Sequence, residues 1–435
     1  MKLCMIGTGY VGLVSGTCFA DLGNNVICVD KDPNKITQLM NGKIPIYEPG
    51  LEELVNKNFK NRRLNFSIDL KKSIKDSDII FICVGTPTKK GTSSADLSQI
   101  YNVTKEISHS INSFKIIITK STVPICTGDE VEKILRKKNS SSKFEVVSNP
   151  EFLREGEAIR DFRYPDRVVI GSNNPKKTIP ILKKLYEPIT KKGAKFISTS
   201  RRSAELIKYA ANAFLATKIT FINEIANLCE QVGSNVEDIA IGIGTDARIG
   251  SRFLRAGPAY GGSCFPKDTK ALTKIGKKFK THMSVVETVI KSNEKRKNNL
   301  ADKILNILKN PKGKKVGFLG VTFKANTDDM RDTQCLKIVP KLLKKGVKLS
   351  YYDPTGEKKE LKKVRFIKNT KEILNNNDLV VIHTEWDEFR SLDFKSIKNK
   401  VVKIFDMRNL YQPNEFLNKN IKYYSIGRPT NEKKA

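Results

Sequence analysis

The chain has 435 residues, of which 79 are Lys or Arg and 46 Asp or Glu, giving a formal charge of +33 at pH 7. That length outruns a single hydrophobic core and predicts roughly two to four domains. The cysteines are scattered without a CxxC pair, the N-terminus runs straight into glycines, and no window approaches the ~20 apolar residues of a membrane span. These features argue against a disulfide scaffold, a secreted precursor and a membrane protein, and predict a cytoplasmic chain with reduced thiols and no metal.

The positive excess comes as doublets along the whole chain, such as Lys71-Lys72, Lys137-Lys138, Lys183-Lys184 and Lys344-Lys345, with no basic tail. A solvated surface, or a field that draws anionic small molecules into a cleft, accounts for this pattern without a nucleic-acid partner. The rival is a non-catalytic basic protein whose affinity for nucleic acid falls steeply with salt.

"KLCMIG" reads as a buried strand, followed by Gly7-Thr8-Gly9-Tyr10-Val11-Gly12, an apolar helical stretch to Gly23, and "NNVICVD" as a second strand. In such a βαβ unit Gly7 permits the tight turn, Gly9 lets backbone approach a pyrophosphate, and Gly12 lets helix and strand pack closely. Asp30 closes the second strand where a ribose diol is bound, which favours NAD, while Lys31 and Lys35 leave room for a 2′-phosphate. Strand-like runs follow at "DIIFICVGTPT", "KIIITKSTVP" and "FEVVSNPEFL". Thr86, Ser121-Thr122 and Asn149-Pro150-Glu151 sit at their ends, where an open parallel sheet presents ligands or ordinary turns form. This first region spans 1–195.

A long helix is predicted from Ser203 to Val232, with Ile207, Ala211, Phe214, Ile222, Ile225 and Cys229 as its apolar positions and Gly233 as its stop. It belongs to a central helical region, 196–300. Lys208 and Asn212 stand four apart and share a face. On spacing alone they read as a solvated lysine beside a neutral amide. "GPAYGGSCFPKD" then sets Cys264 among glycines with Lys267 and Asp268 behind it.

From 301 to 435 the strand rhythm returns in "KKVGFLG", "VKLSYYDP", "DLVVIHTEW" and "VVKIFDMRN", a second doubly wound domain that keeps only Gly317 and Gly320 of a possible fingerprint. The predicted class is therefore α/β, with two Rossmann-like domains joined by a helical region.

None of His109, His282 and His383 lies in a catalytic motif, so a His-dependent alcohol dehydrogenase lacks its base here. A thiol offers another route. It adds to an aldehyde, the thiohemiacetal loses hydride to become a thioester, and water releases an acid. Cys264 is placed for this, with Asp268 as a base for water and Lys208 with Asn212 as oxyanion partners. The other seven cysteines read as small buried hydrophobes.

"GTGYVG", "VGTPT", "KSTVP", "SNPEFLREG", "AELIKYAANAFLA", "GIGTDARIG", "GGSCFPKD", "GVTFKANTDDMR" and "FDMRN" occur in an order that resembles the nucleotide-sugar 6-dehydrogenases, the UDP-glucose/GDP-mannose dehydrogenase family, over nearly the whole chain. The resemblance implies that UDP-glucose is oxidised at C6 to UDP-glucuronate by two NAD+. It makes Cys264 the nucleophile, has Asp268 and Thr122 position the hydrolytic water, has Glu151 assist proton transfer, and turns Lys208 and Asn212 into oxyanion stabilisers. Cofactor contacts would come from Gly7, Gly9, Tyr10, Val11, Gly12, Asp30, Lys35, Thr86, Ser121, Thr122, Glu155, Lys267 and Arg331. The sugar nucleotide would meet Glu151, Phe152, Leu153, Lys208, Asn212, Phe253, Tyr260, Gly261, Phe323, Lys324 and Arg408. Arg248 matches an arginine that family dimers lend to the neighbouring subunit, and the long helix would serve the homodimer. Siblings acting on GDP-mannose or UDP-N-acetylhexosamines are the close rivals, and Ser263, Phe265 and Pro266-Lys267-Asp268 favour UDP-glucose. Ala259 and Cys126 stand where the family usually has glycine. A positive φ at residue 259 would cost an alanine about 1 kcal/mol.

Overall fold

The computed structural model describes residues 1–89, 91, 94–394, 397, 402–416 and 420–429. The chain divides into two compact units, Met1–Ala211 with Lys274–Thr281, and Asn212–Thr273 with His282–Ala435.

The first unit is built on eight strands: β1 (Lys2–Ile6), β2 (Asn25–Val29), β3 (Leu64–Ser67), β4 (Ile79–Ile82), β5 (Lys115–Thr119), β6 (Phe144–Ser148), β7 (Arg167–Ser172) and β8 (Lys195–Thr199). They lie in the order β3-β2-β1-β4-β5-β6-β7-β8, parallel except for the antiparallel pair β6–β7. Strand residues are apolar on both faces because both are covered. Leu3, Met5, Ile79 and Phe81 enter one core, while Cys4, Ile6, Ile80 and Ile82 enter the other. The order reverses between β1 and β4, whose carboxyl ends open the crevice where doubly wound sheets bind ligands.

The second unit repeats this plan with β9 (Lys315–Leu319), β10 (Lys348–Tyr352), β11 (Arg365–Phe366), β12 (Leu379–Ile382), β13 (Val402–Asp406) and β14 (Ile421–Ser425), in the order β11-β10-β9-β12-β13-β14 and parallel throughout. The sequence reading omits β3, β7, β8, β11 and β14. Four of these are the edges of the two sheets and β7 lies next to an edge, while β11, at two residues, is too short to show a pattern.

The long helix runs from Arg201 to Val232, about 48 Å at 1.5 Å per residue. The division between the units falls inside it, between Ala211 and Asn212. Ile222 and Cys229 are buried on the second unit, but Phe214 is 66% exposed and does not join them. It lines up with Phe221 and Leu228, a row displaced one residue, about 100°, around the helix from the buried one.

Candidate active site

At the crevice of the first sheet Gly7 has φ +102°, and a Cβ on Gly12 would lie 1.9 Å from the Gly7 carbonyl oxygen, so strand end and helix start pack more closely than any side chain allows. Nothing stands within 4 Å of a Cβ built on Gly9, the residue before the helix Tyr10–Asp21. That open, positively polarised helix N-terminus fits a pyrophosphate. The Thr8 N–H and hydroxyl donate to Asp30 Oδ2 at 2.9 and 2.8 Å, and the Asp32 N–H donates to Oδ1 at 3.1 Å. Burial alone would raise the Asp30 carboxyl, but these donors and Lys35 at 4.0 Å hold it below the usual carboxylate range. Asp30 is thus an anionic acceptor beside the glycine turn, suited to a ribose diol, and NAD fits this cradle.

The loops after β4 and β5 are tied together, since the Thr86 hydroxyl donates to the Thr122 carbonyl at 2.9 Å and the Ser121 hydroxyl to the Val84 carbonyl at 2.7 Å. Beyond β6, Lys208 Nζ lies 3.1 Å from Glu151 Oε1 with both side chains buried, while the Leu153 N–H donates to Glu151 Oε2 at 2.6 Å. Lys208 is therefore not the solvated lysine that spacing alone suggests. The Phe152 ring carries the Arg167 guanidinium at 4.0 Å, and Lys208 is 5.3 Å from its centroid. Glu155 and Val11 are half-buried in the same unit.

The helix Phe265–Lys278, whose first turns belong to the second unit, begins directly behind the half-buried Cys264 and brings its positive end to that residue. Asp268 lies one turn along and is buried. It accepts from Asn212 Nδ2 at 2.6 Å, and Lys267 Nζ is 2.9 Å from its other oxygen. Six of the other cysteines are buried as expected. Cys126 is the exception: it is half-buried, precedes the helix Thr127–Arg136 and holds φ +73°, a glycine-like helix start.

The expected sugar-nucleotide residues of this unit gather at the carboxyl edge of the second sheet. Arg408, after β13, donates to the Phe323 and His383 carbonyls at 2.9 Å each and pairs with Glu385 at 2.8 Å. A Cβ on Gly262 would lie 2.7 Å from the Phe323 ring, and one on Gly261 2.5 Å from the Asp332 carbonyl oxygen. Tyr260 and Phe253 each meet Phe265 edge-on at 6.2 Å. Lys324 Nζ lies 5.9 Å from the Phe323 centroid, and Arg331 pairs with Asp329 at 2.8 Å. Arg248 stands apart, 89% exposed and paired with Asp246.

Three further buried polar groups are given no role by the sequence: Glu48 lies outside every quoted motif, while Lys120 in "KSTVP" and Glu205 in "AELIKYAANAFLA" lie inside one. Lys120 donates to Asn149 at 3.1 Å, and burial pulls its ammonium down to about 8 against the opposing pull of the Glu151 carboxylate. Glu48 accepts from the Tyr10 hydroxyl and from the N–H groups of Gly156 and Ala158 at 2.6 and 2.7 Å, tying the cofactor helix to the Glu155 loop. Glu205, one turn before Lys208, accepts from the Cys126 and Gly128 N–H groups, and burial raises it to about 7.

Residues 1–190 match the NAD binding domain of the UDP-glucose/GDP-mannose dehydrogenase family, 202–295 its central domain and 317–413 its UDP binding domain. The UDP-glucose 6-dehydrogenase of Rhizobium meliloti (strain 1021) is 49% identical, covering 99% of this chain and 100% of the relative. UDP-glucose 6-dehydrogenase TuaD of Bacillus subtilis (strain 168) is 46% identical over 98% of this chain and 93% of its own length. A UDP-glucose dehydrogenase structure from the hyperthermophilic archaeon Pyrobaculum islandicum aligns with a TM-score of 0.90 at 32% identity, covering 98% of each chain. The glycine cradle with its acidic acceptor, the cysteine at a helix start and this full-length similarity together identify the chain as an NAD-dependent oxidoreductase belonging to the UDP-glucose/GDP-mannose dehydrogenase family.

Proposed function

We propose that the protein oxidises the C6 hydroxymethyl of UDP-glucose to the carboxylate of UDP-glucuronate in two steps, with residues 1–195 serving the cofactor, 196–300 the connection and 301–435 the sugar nucleotide. The observation that carries this reading is Cys264 at the start of a helix whose next turn bears Asp268, held by Asn212 at 2.6 Å and Lys267 at 2.9 Å. When bound, NAD+ accepts a hydride from C6 at each of two oxidations.

After the first oxidation C6 is an aldehyde. The Cys264 thiolate adds to it, forming a C–S bond and a thiohemiacetal oxyanion that Lys208 and Asn212, one turn apart on the long helix, stabilise by charge and amide donation. The second hydride loss leaves a thioester. Asp268 takes a proton from water as it attacks, with Thr122 positioning that water and Glu151 assisting proton transfer. The C–S bond then breaks, returning the thiolate and releasing the carboxylate. The balance is one water consumed, two NADH formed and three protons released per sugar. The deciding assay counts NADH per sugar with UDP-glucose, UDP-N-acetylglucosamine, UDP-N-acetylmannosamine and GDP-mannose offered separately. Two NADH from UDP-glucose alone is the expected result. Two from another sugar keeps the chemistry and moves the substrate, and none from any overturns the reading.

The row Phe214, Phe221 and Leu228 supports a homodimer through the long helix, since it exposes large apolar side chains at heptad spacing. The exposed Arg248 is suited to reach the neighbouring subunit's substrate. Phe221→Asp is expected to turn a dimer into a monomer by sedimentation and to raise KM for the sugar nucleotide; a monomeric wild type at assay concentration would refute this. The buried cysteines Cys4, Cys18, Cys28, Cys83, Cys229 and Cys335 are thiols, not disulfides, which fits a reducing cytoplasm.

A further inference from the structure

The loop that leads into Cys264 holds a residue in a conformation suited to glycine. Ala259 has φ +148°, in the region that L side chains rarely adopt, and its side chain is buried. Nothing in the alanine itself favours that geometry, so the surroundings must impose it.

Four buried polar side chains from three separate elements do so through the loop backbone. Asn223, on the long helix, accepts from the Gly257 N–H at 2.9 Å, and Arg296 Nε, on the helix Ser284–Leu308, donates to the Gly257 carbonyl at 2.8 Å. Gln334, just ahead of the helix Cys335–Lys344, donates to the Ala259 carbonyl at 2.9 Å. Asn293 does both for Tyr260, accepting from its N–H at 3.0 Å and donating to its carbonyl at 3.1 Å. Each of the four is at least nine-tenths buried. Asn223 Nδ2 and Gln334 Oε1 find no partner among the described residues, so half the capacity of each amide is left unmet while the other half grips the loop. Residues selected for stability alone would gain more from apolar packing at such positions.

We infer that Asn293 and Gln334 are positioning residues, whose side-chain amides force Ala259 into its glycine-like conformation and so fix the backbone that carries Tyr260, Gly261 and Cys264. They touch no reacting atom and act through the loop. The inference rests on the reading of Cys264 as nucleophile for its effect on rate, but not for its effect on the loop.

The test is a double-mutant cycle between the clamp and the strained residue, made in the full chain. Asn293→Ala is expected to lower kcat at least tenfold with KM for NAD+ within twofold, and to speed amide exchange in residues 257–262. With glycine at 259 the conformation no longer has to be imposed. The gain in kcat from Ala259→Gly is therefore expected to be at least fivefold larger in the Asn293→Ala background than in wild type, with exchange slowed again. A folded Asn293→Ala enzyme with kcat within twofold of wild type overturns the inference, and so does an equal effect of Ala259→Gly in both backgrounds. Should Asn293→Ala fail to fold, Gln334→Met, which removes the donor to Ala259 but keeps the volume, enters the same cycle with the same criteria. Turnover by Cys264→Ala would defeat the nucleophile reading separately, because amide exchange and its reversal report the clamp without catalysis.

Discussion

Cys264→Ala is expected to lose UDP-glucuronate formation by at least on the order of 10³-fold. The second oxidation needs C6 held as a thiohemiacetal; without the thiol the aldehyde has no covalent anchor, and no histidine of the chain lies in a motif that could replace it. The substitution shortens a half-buried side chain at a helix start, so fold and cofactor affinity should persist. Product is followed chromatographically alongside NADH. Wild-type turnover in this variant would sink the thiol mechanism, whereas one NADH per sugar with aldehyde released would locate the block at the second oxidation.

Lys208→Met is expected to act on stability and catalysis at once. Its ammonium and Glu151 form a buried pair at 3.1 Å, so removing one partner strands the other charge at a cost of about 3–5 kcal/mol. Loss of the oxyanion partner should lower kcat by roughly 10²–10³-fold. The two effects separate in the double variant Lys208→Met/Glu151→Gln, which removes both charges. Its urea midpoint should return toward wild type while kcat stays low. Recovery of kcat with stability would mean that the pair only supports the fold.

What could be read in the sequence depended on how local the chemistry is. Gly7, Gly9, Gly12 and Asp30 lie within one βαβ unit, so their spacing carries their meaning. Lys208 and Asn212 were ambiguous, because helix spacing cannot say that Glu151 and Asp268 wait beside them. Family likeness implies an oxyanion role for both, and the hydrogen bonds show that each faces a buried carboxylate. Glu48, Asn293 and Gln334 were invisible for a related reason. They bond backbone groups far along the chain, Gly156, Tyr260 and Ala259, and a side chain that recognises main chain leaves no pattern in residue types. The edge strands were missed because few neighbours shape them. β8, with none of its residues fully buried, lacks the continuous apolar run that marked β4.

The sheet order also dictates a timetable for synthesis. β1 leaves the ribosome well before β4, yet its register with β4 pairs Leu3 with Ile79, so this interior strand of the first sheet stays half-partnered until the chain beyond Ile82 has emerged. The nascent segment in that interval exposes the edge of one of the most apolar strands in the protein. Non-local parallel pairing of this kind is slow. The net positive charge spread along the chain suits such a segment: mutual repulsion between unfinished copies opposes their association while β1 waits for its neighbour.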